Sequence, residues 1–181
     1  MNGALRSRGV TLVELLVVVA IIGVVAVVAT PFLSSADPQK LEYAAVEFAS
    51  AMRFARSEAM RTGKPTGFRQ SSVNKRIRVF RPDTETSPWT PVYDVYHPVS
   101  KQLYDIDLDD HPLAAADDLS HVRIYRGTCN TERHVYFDDN GTPWCADPET
   151  VLLEQYAITF TLGGYSRVVT LDAISGRVTV Q

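Results

Sequence analysis

The chain has 181 residues, 45% of them apolar and 22% charged, with a formal net charge of −3. Such a balance is that of a folded protein, and it excludes a strong general attraction to nucleic acid or anionic lipid. Length allows one domain plus an extra segment.

The first nine residues hold Arg6 and Arg8 and no acid. From Leu15 to Ala29 no polar side chain occurs, and the apolar run from Val10 to Leu33 exceeds the roughly 20 residues that cross a bilayer. The basic flank predicts a cytoplasmic N-terminus, with the remainder on the other side of the membrane. One carboxylate, Glu14, interrupts the start of the run. An ionised acid inside lipid costs about 2.5–3.5 kcal/mol and calls for a partner. Ala29-Thr30-Pro31 is a poor secretory cleavage site, whereas a cut after Gly9 would create an ammonium on Val10, four residues from Glu14. The simpler alternative is an uncut signal anchor with Glu14 at the interface. Pro31 predicts a loosened helix near Val27.

Asp37-Pro38 reads as an N-cap and a first-turn proline that restart the helix. Whether the helix is continuous across Pro38 is left open by the sequence. Leu41, Ala45, Phe48, Met52, Ala55 and Ala59 form one apolar stripe, ended by Thr62-Gly63. Strands are predicted over 66–70, 75–81, 91–96, 121–126, 133–138, 157–162, 165–172 and 177–180, with turns at Asn140-Gly141, Gly163-Gly164 and Ser175-Gly176. A helix followed by antiparallel strands is an α+β pattern. Cys129 and Cys145 flank the Asn140-Gly141 turn, and an oxidising compartment predicts a disulfide between them, two buried thiols being the alternative.

Asp105-Ile106-Asp107-Leu108-Asp109-Asp110 has the opening rhythm of a calcium loop. The EF-hand pattern fails at Asp110 and Ala116, so a strand with Ile106 and Leu108 inward is preferred. Nine cations between Arg53 and Arg81 face only Glu58, and nine acids between Asp83 and Asp118 face only Lys101. Mutual pairing is the plain expectation. The histidines His97, His111, His121 and His134 lack metal spacing, and no GxSxG turn or phosphate loop occurs. The sequence predicts no enzyme, cofactor or metal.

Gly9-Val10-Thr11-Leu12-Val13-Glu14 resembles the class III signal of type IV prepilins and type II secretion pseudopilins. The resemblance implies cleavage between Gly9 and Val10 by prepilin peptidase, methylation of Val10, and Glu14 as the assembly residue. Gly23 and Pro31 fall where that family loosens its helix; Val10 stands where phenylalanine is usual. Residues Phe54 to Gly63, Val135 to Gly141 and Arg167 to Val180 resemble the GspH/FimT type of minor pilin and pseudopilin; residues 82–118 match nothing. The implied fold is pilin-like: a leader (1–9), a membrane and filament-core helix (10–33), an amphipathic helix (34–63) and a β-rich periplasmic domain (64–181). The implied partners are other major or minor pilins or pseudopilins, prepilin peptidase, an inner-membrane assembly platform and exported cargo. A minor pilin that binds DNA during natural transformation is the alternative, with Arg167 and Arg177 as the cations near the last hairpin.

Overall fold

The computed structural model describes residues 11–33, 36–86, 89–127, 129, 134–145 and 151–181. It falls into two units, residues 1–36 and 37–181. The first contributes helix α1, Leu12–Leu33, 22 residues long and continuous through Gly23 and Pro31. Its placed side chains, residues 11–24, are all exposed. Among the described residues no helix is long and apolar enough to cross a membrane.

The second unit opens with α2, Ala36–Thr62. Asp37 lies inside its first turn rather than at the N-cap, because helical geometry is already set at Ala36. Pro38 also sits in that opening turn, where its missing N–H removes no intrahelical bond. The whole predicted stripe is buried, together with Ala44, Ala49 and Ala51. Six alanines on this face let the helix backbone approach the sheets, and Phe48 fills the remaining space. Its ring meets Phe68, Tyr156 and Phe160 at centroid distances of 5.7, 6.3 and 5.6 Å.

Ten strands follow. In the first sheet β1 (Thr66–Ser71) lies between β2 (Arg76–Asp83) and β6 (His134–Phe137), and β6 pairs with β7 (Pro143–Cys145). The far edge of β2 carries both β3 (Thr90–Val92) and β4 (Asp105–Asp107), one after the other. The second sheet has the order β10-β9-β8-β5, with β5 at Asp118–Tyr125, β8 at Leu153–Leu162, β9 at Tyr165–Leu171 and β10 at Val178–Val180. All pairings are antiparallel. The predicted 91–96 strand is shorter than expected: Tyr96 makes only an isolated bridge to Leu103. Asp105–Asp107 is a strand, with Leu108 buried behind it. Arg133 lies outside the described residues.

Gly67, in the middle of β1, is required by space. A Cβ there would sit 2.6 Å from both the Phe80 ring and the main-chain oxygen of Val135. Cys129 and Cys145 form a disulfide, with Cα atoms 6.0 Å apart, so the β7 edge is tied covalently to the segment after β5.

Candidate functional site

Three regions hold the residues singled out by the sequence. The first is the start of α1. Thr11 caps it: the Glu14 N–H donates to Thr11 Oγ1 at 3.2 Å, and the Leu15 N–H to the Thr11 carbonyl at 3.2 Å. Thr-x-x-Glu is the capping-box spacing, a signal the sequence carried and which gives Thr11 a role not anticipated. Glu14 is the only acid of the helix's first turn, and its side chain is exposed. A negative charge is favoured at this end of the helix dipole. Nothing approaches within 4 Å of a methyl placed on Gly23. Gly9 and Val10 lie outside the described residues.

The second region is the C-terminal end of α2. Arg53 Nη2 donates to the Val178 carbonyl at 3.0 Å, and Arg56 Nε to the Gly141 carbonyl at 3.2 Å. Gly141 and Gly176 both hold positive φ, +77° and +64°, which glycine adopts without strain. A Cβ on Gly176 would lie 2.6 Å from Arg56 Nε and 3.0 Å from the Gly141 oxygen. The three separate stretches that carried the resemblance therefore meet around one guanidinium. Each turn is built by an aspartate. Asp138 accepts from the Asn140 and Thr142 N–H groups and from Trp144 Nε1, and Asp172 from Ile174 and Ser175. The Ser175 N–H and hydroxyl hold the Asp172 carboxyl below its ordinary range. Beside the clasp runs an open groove of 390 Å³ lined by Arg53, Arg56, Ser57, Met60, Gly176, Arg177 and Val178.

The third region is the charged middle. The opposed blocks pair as expected: Lys75 with Asp109 (2.9 Å), Arg76 with Asp107 (2.9 Å), Arg78 with Asp105 (3.0 Å) and Arg81 with Asp94 (3.4 Å). Hydrogen bonding from Arg76 holds the Asp107 carboxyl below its ordinary range. Arg167 is engaged by Glu42 of α2 at 2.6 Å, whereas Arg177 lines the groove. His97 and His111 cap loops, each accepting two backbone N–H bonds at Nδ1. Among the described residues no group of three His, Cys, Asp or Glu is placed to hold a metal.

A helix laid on antiparallel sheets, with a separate apolar helix ahead of it, defines a pilin-like protein. The family profile described as Type II transport protein GspH matches residues 44–176, and that of the prokaryotic N-terminal methylation motif matches residues 5–30. The chain belongs to the GspH family. Its fold is similar to that of the minor pseudopilin EpsH from the type 2 secretion system of Vibrio cholerae. One EpsH structure aligns at TM-score 0.52 and 12% identity over 78% of this chain and 96% of that one; a second aligns at 0.51 and 12%, over 81% and 95%. The type IV minor pilin FimU of Pseudomonas aeruginosa aligns at TM-score 0.46 and 18% identity, over 78% of this chain and 87% of FimU. No curated protein sequence matches the chain.

Proposed function

We propose that the chain is a structural subunit, a minor pilin or pseudopilin, of a type II secretion pseudopilus or a type IV pilus. The observation that carries this reading is α1. It is apolar all round, and its one charge is a capped first-turn glutamate exposed within the matched methylation motif. A helix apolar on every side needs lipid or other helices around it. Residues 10–33 anchor the precursor in the inner membrane, N-terminus inside; cleavage between Gly9 and Val10 then frees an amine that is methylated. Glu14 meets the corresponding amine of a neighbouring subunit, and the membrane helix becomes the filament core. Residues 37–181 form the periplasmic part, which faces other subunits or exported cargo near the filament tip. Gly23 and Pro31 give α1 local freedom when it leaves lipid.

Intact mass of the membrane-extracted protein, with and without prepilin peptidase, tests the reading. The expected result is loss of Met1 to Gly9 plus one methyl group. An uncut chain in the presence of active peptidase leaves a plain membrane anchor and sinks the filament pathway.

The carboxylate-free lining of the Arg53, Arg56 and Arg177 groove supports a second reading, DNA binding. Phosphate contacts make affinity fall steeply with salt. Affinity that holds constant from low to high salt rejects it.

A further inference from the structure

The edges of the two sheets are not alike. β3, β4, β7 and β10 each end a sheet with three residues, and β3 and β7 carry Pro91 and Pro143. Short edges, and edges with proline, offer little to a foreign strand. β5 ends the second sheet with the longer Asp118–Tyr125, 8 residues and no proline. Its one register slip against β8 skips Glu154, on the partner strand, so β5 itself alternates without a break. The Arg126 N–H donates to the Leu152 carbonyl at 3.0 Å and prolongs the pairing by one residue. Among the described residues β5 pairs with β8 alone, so alternate N–H and C=O groups along its other side point away from the sheet. Ser120, His121 and Val122 are all exposed. Successive strand residues point to opposite faces, so three exposed in a row mark an edge uncovered on both faces at its middle.

The strand's own sequence names what fits this edge. Asp118, Ser120, Val122, Ile124 and, just past the strand, Arg126 stand at alternate positions, and all are exposed, Val122 by 51% and Ile124 by 44%. Thr159 and Ala157 of β8 lie beside Ser120 and Val122 and continue an uncharged surface. Neither Asp118 nor Arg126 forms an ion pair among the described residues. A second copy laid antiparallel, with Val122 against Val122, puts Asp118 opposite Arg126 at both ends and Ser120 opposite Ile124 between. A slip that sets Val122 against Ile124 brings Arg123 directly opposite Arg123, and like charges so placed repel. The reverse slip, Val122 against Ser120, faces Ile124 with Asp118. Register follows the side-chain pairing, and the pairing about Val122 is the one that matches charge with charge and apolar with apolar. We propose that β5 is an interface between two copies of this chain, which join β5 to β5 antiparallel about Val122 and merge their four-stranded sheets into one. Such an isologous contact closes on itself and stops at a pair. It stands on the second sheet alone and holds whether or not the chain enters a filament.

Disulfide trapping of the full-length chain in detergent under mild oxidant tests this. Directly opposite residues on antiparallel strands have Cα atoms about 4.5–5.5 Å apart, within the span of a disulfide. In the proposed register Ser120 lies four positions, about 13 Å, from its own copy, and Ile124 likewise. Val122→Cys should therefore give a reducible dimer at about tenfold or more the yield of Ser120→Cys or Ile124→Cys, whose sulfurs lie beyond bonding reach of their own copies. All three are exposed on one strand and carry the same α1, so chance collision and helix association affect them equally. Ser120→Cys and Ile124→Cys chains mixed together should form the crossed dimer. Asp118→Arg should cut the Val122→Cys yield severalfold, and Arg126→Asp added to it should restore the yield. Equal yields from the three single cysteines, no crossed dimer, or a charge exchange that restores nothing overturns the proposal. Leader cleavage scored on the same samples separates failure of this pairing from failure of the filament reading.

Discussion

The two helices of this chain solve opposite problems. α2 buries one stripe against its own sheets and shows solvent its charged side. α1 has no polar side at all, and every placed side chain is exposed. A stripe fixes which neighbours a helix takes within its own chain; an all-apolar surface defers that choice to whatever surrounds it. On the proposed function, the difference teaches where each helix finds its partners: α2 in its own sheets, α1 in lipid or other subunits.

Glu14 gives the sharpest way to break the comparison. Glu14→Leu should abolish incorporation into sheared filaments while leaving the circular dichroism and Tm of the β-domain unaltered. A matching loss of β-domain stability would mean that α1 is part of that fold after all. The converse change, Phe48→Ala, should cost about 3–5 kcal/mol by denaturant unfolding, since Phe48 is fully buried against three rings. Next in size is Gly67→Ala. The new methyl would strike the Val135 carbonyl, main chain that cannot swing aside, and about 1–3 kcal/mol should be lost; Gly23→Ala in α1, with open space around it, should cost the domain nothing measurable.

The smallest effect is electrostatic. Asp107 and Asp172 are both held below the ordinary carboxylate range in the folded protein. Their contribution is complete above the unfolded value, about 4, and is lost as pH falls through the lower folded values. Denaturant midpoints should therefore drop below about pH 4, and Asp107→Asn should flatten part of that slope. Both carboxylates are near the surface, so the change is modest. A slope unaltered by Asp107→Asn would remove the Arg76 pair from the account.

What the sequence revealed follows the same division. Local chemistry was readable. The spacing of Leu41, Phe48, Met52 and Ala59 named the buried face, Asn140-Gly141 and Ser175-Gly176 named their turns, and the alternation at 105–108 named a strand. Partnership across long separations was not readable. Nothing in Thr90–Val92 or Asp105–Asp107 says that both line one edge of β2, or that the strands divide into two sheets. Pro143–Cys145 is too short to carry a period. The Thr11 cap was present as Thr-x-x-Glu but was hidden by the stronger apolar signal after it. Glu42 as the partner of Arg167 could be found only once α2 was laid against β9.

The clasp around Arg56 bears on the timing of synthesis. Arg56 and Gly141 are 85 residues apart, and Arg53 and Val178 are 125 apart. α2 emerges early, yet the carbonyls that anchor its last turns belong to segments made much later. Contacts of such separation defer closure of the domain. Until the ribosome has passed Val178, the helix can form but cannot be fixed, and its apolar stripe has no complete sheet to cover. The domain is thus obliged to close only after the segment through Val178 has been made. On the proposed topology that happens outside the inner membrane, with the chain already held there by its first helix.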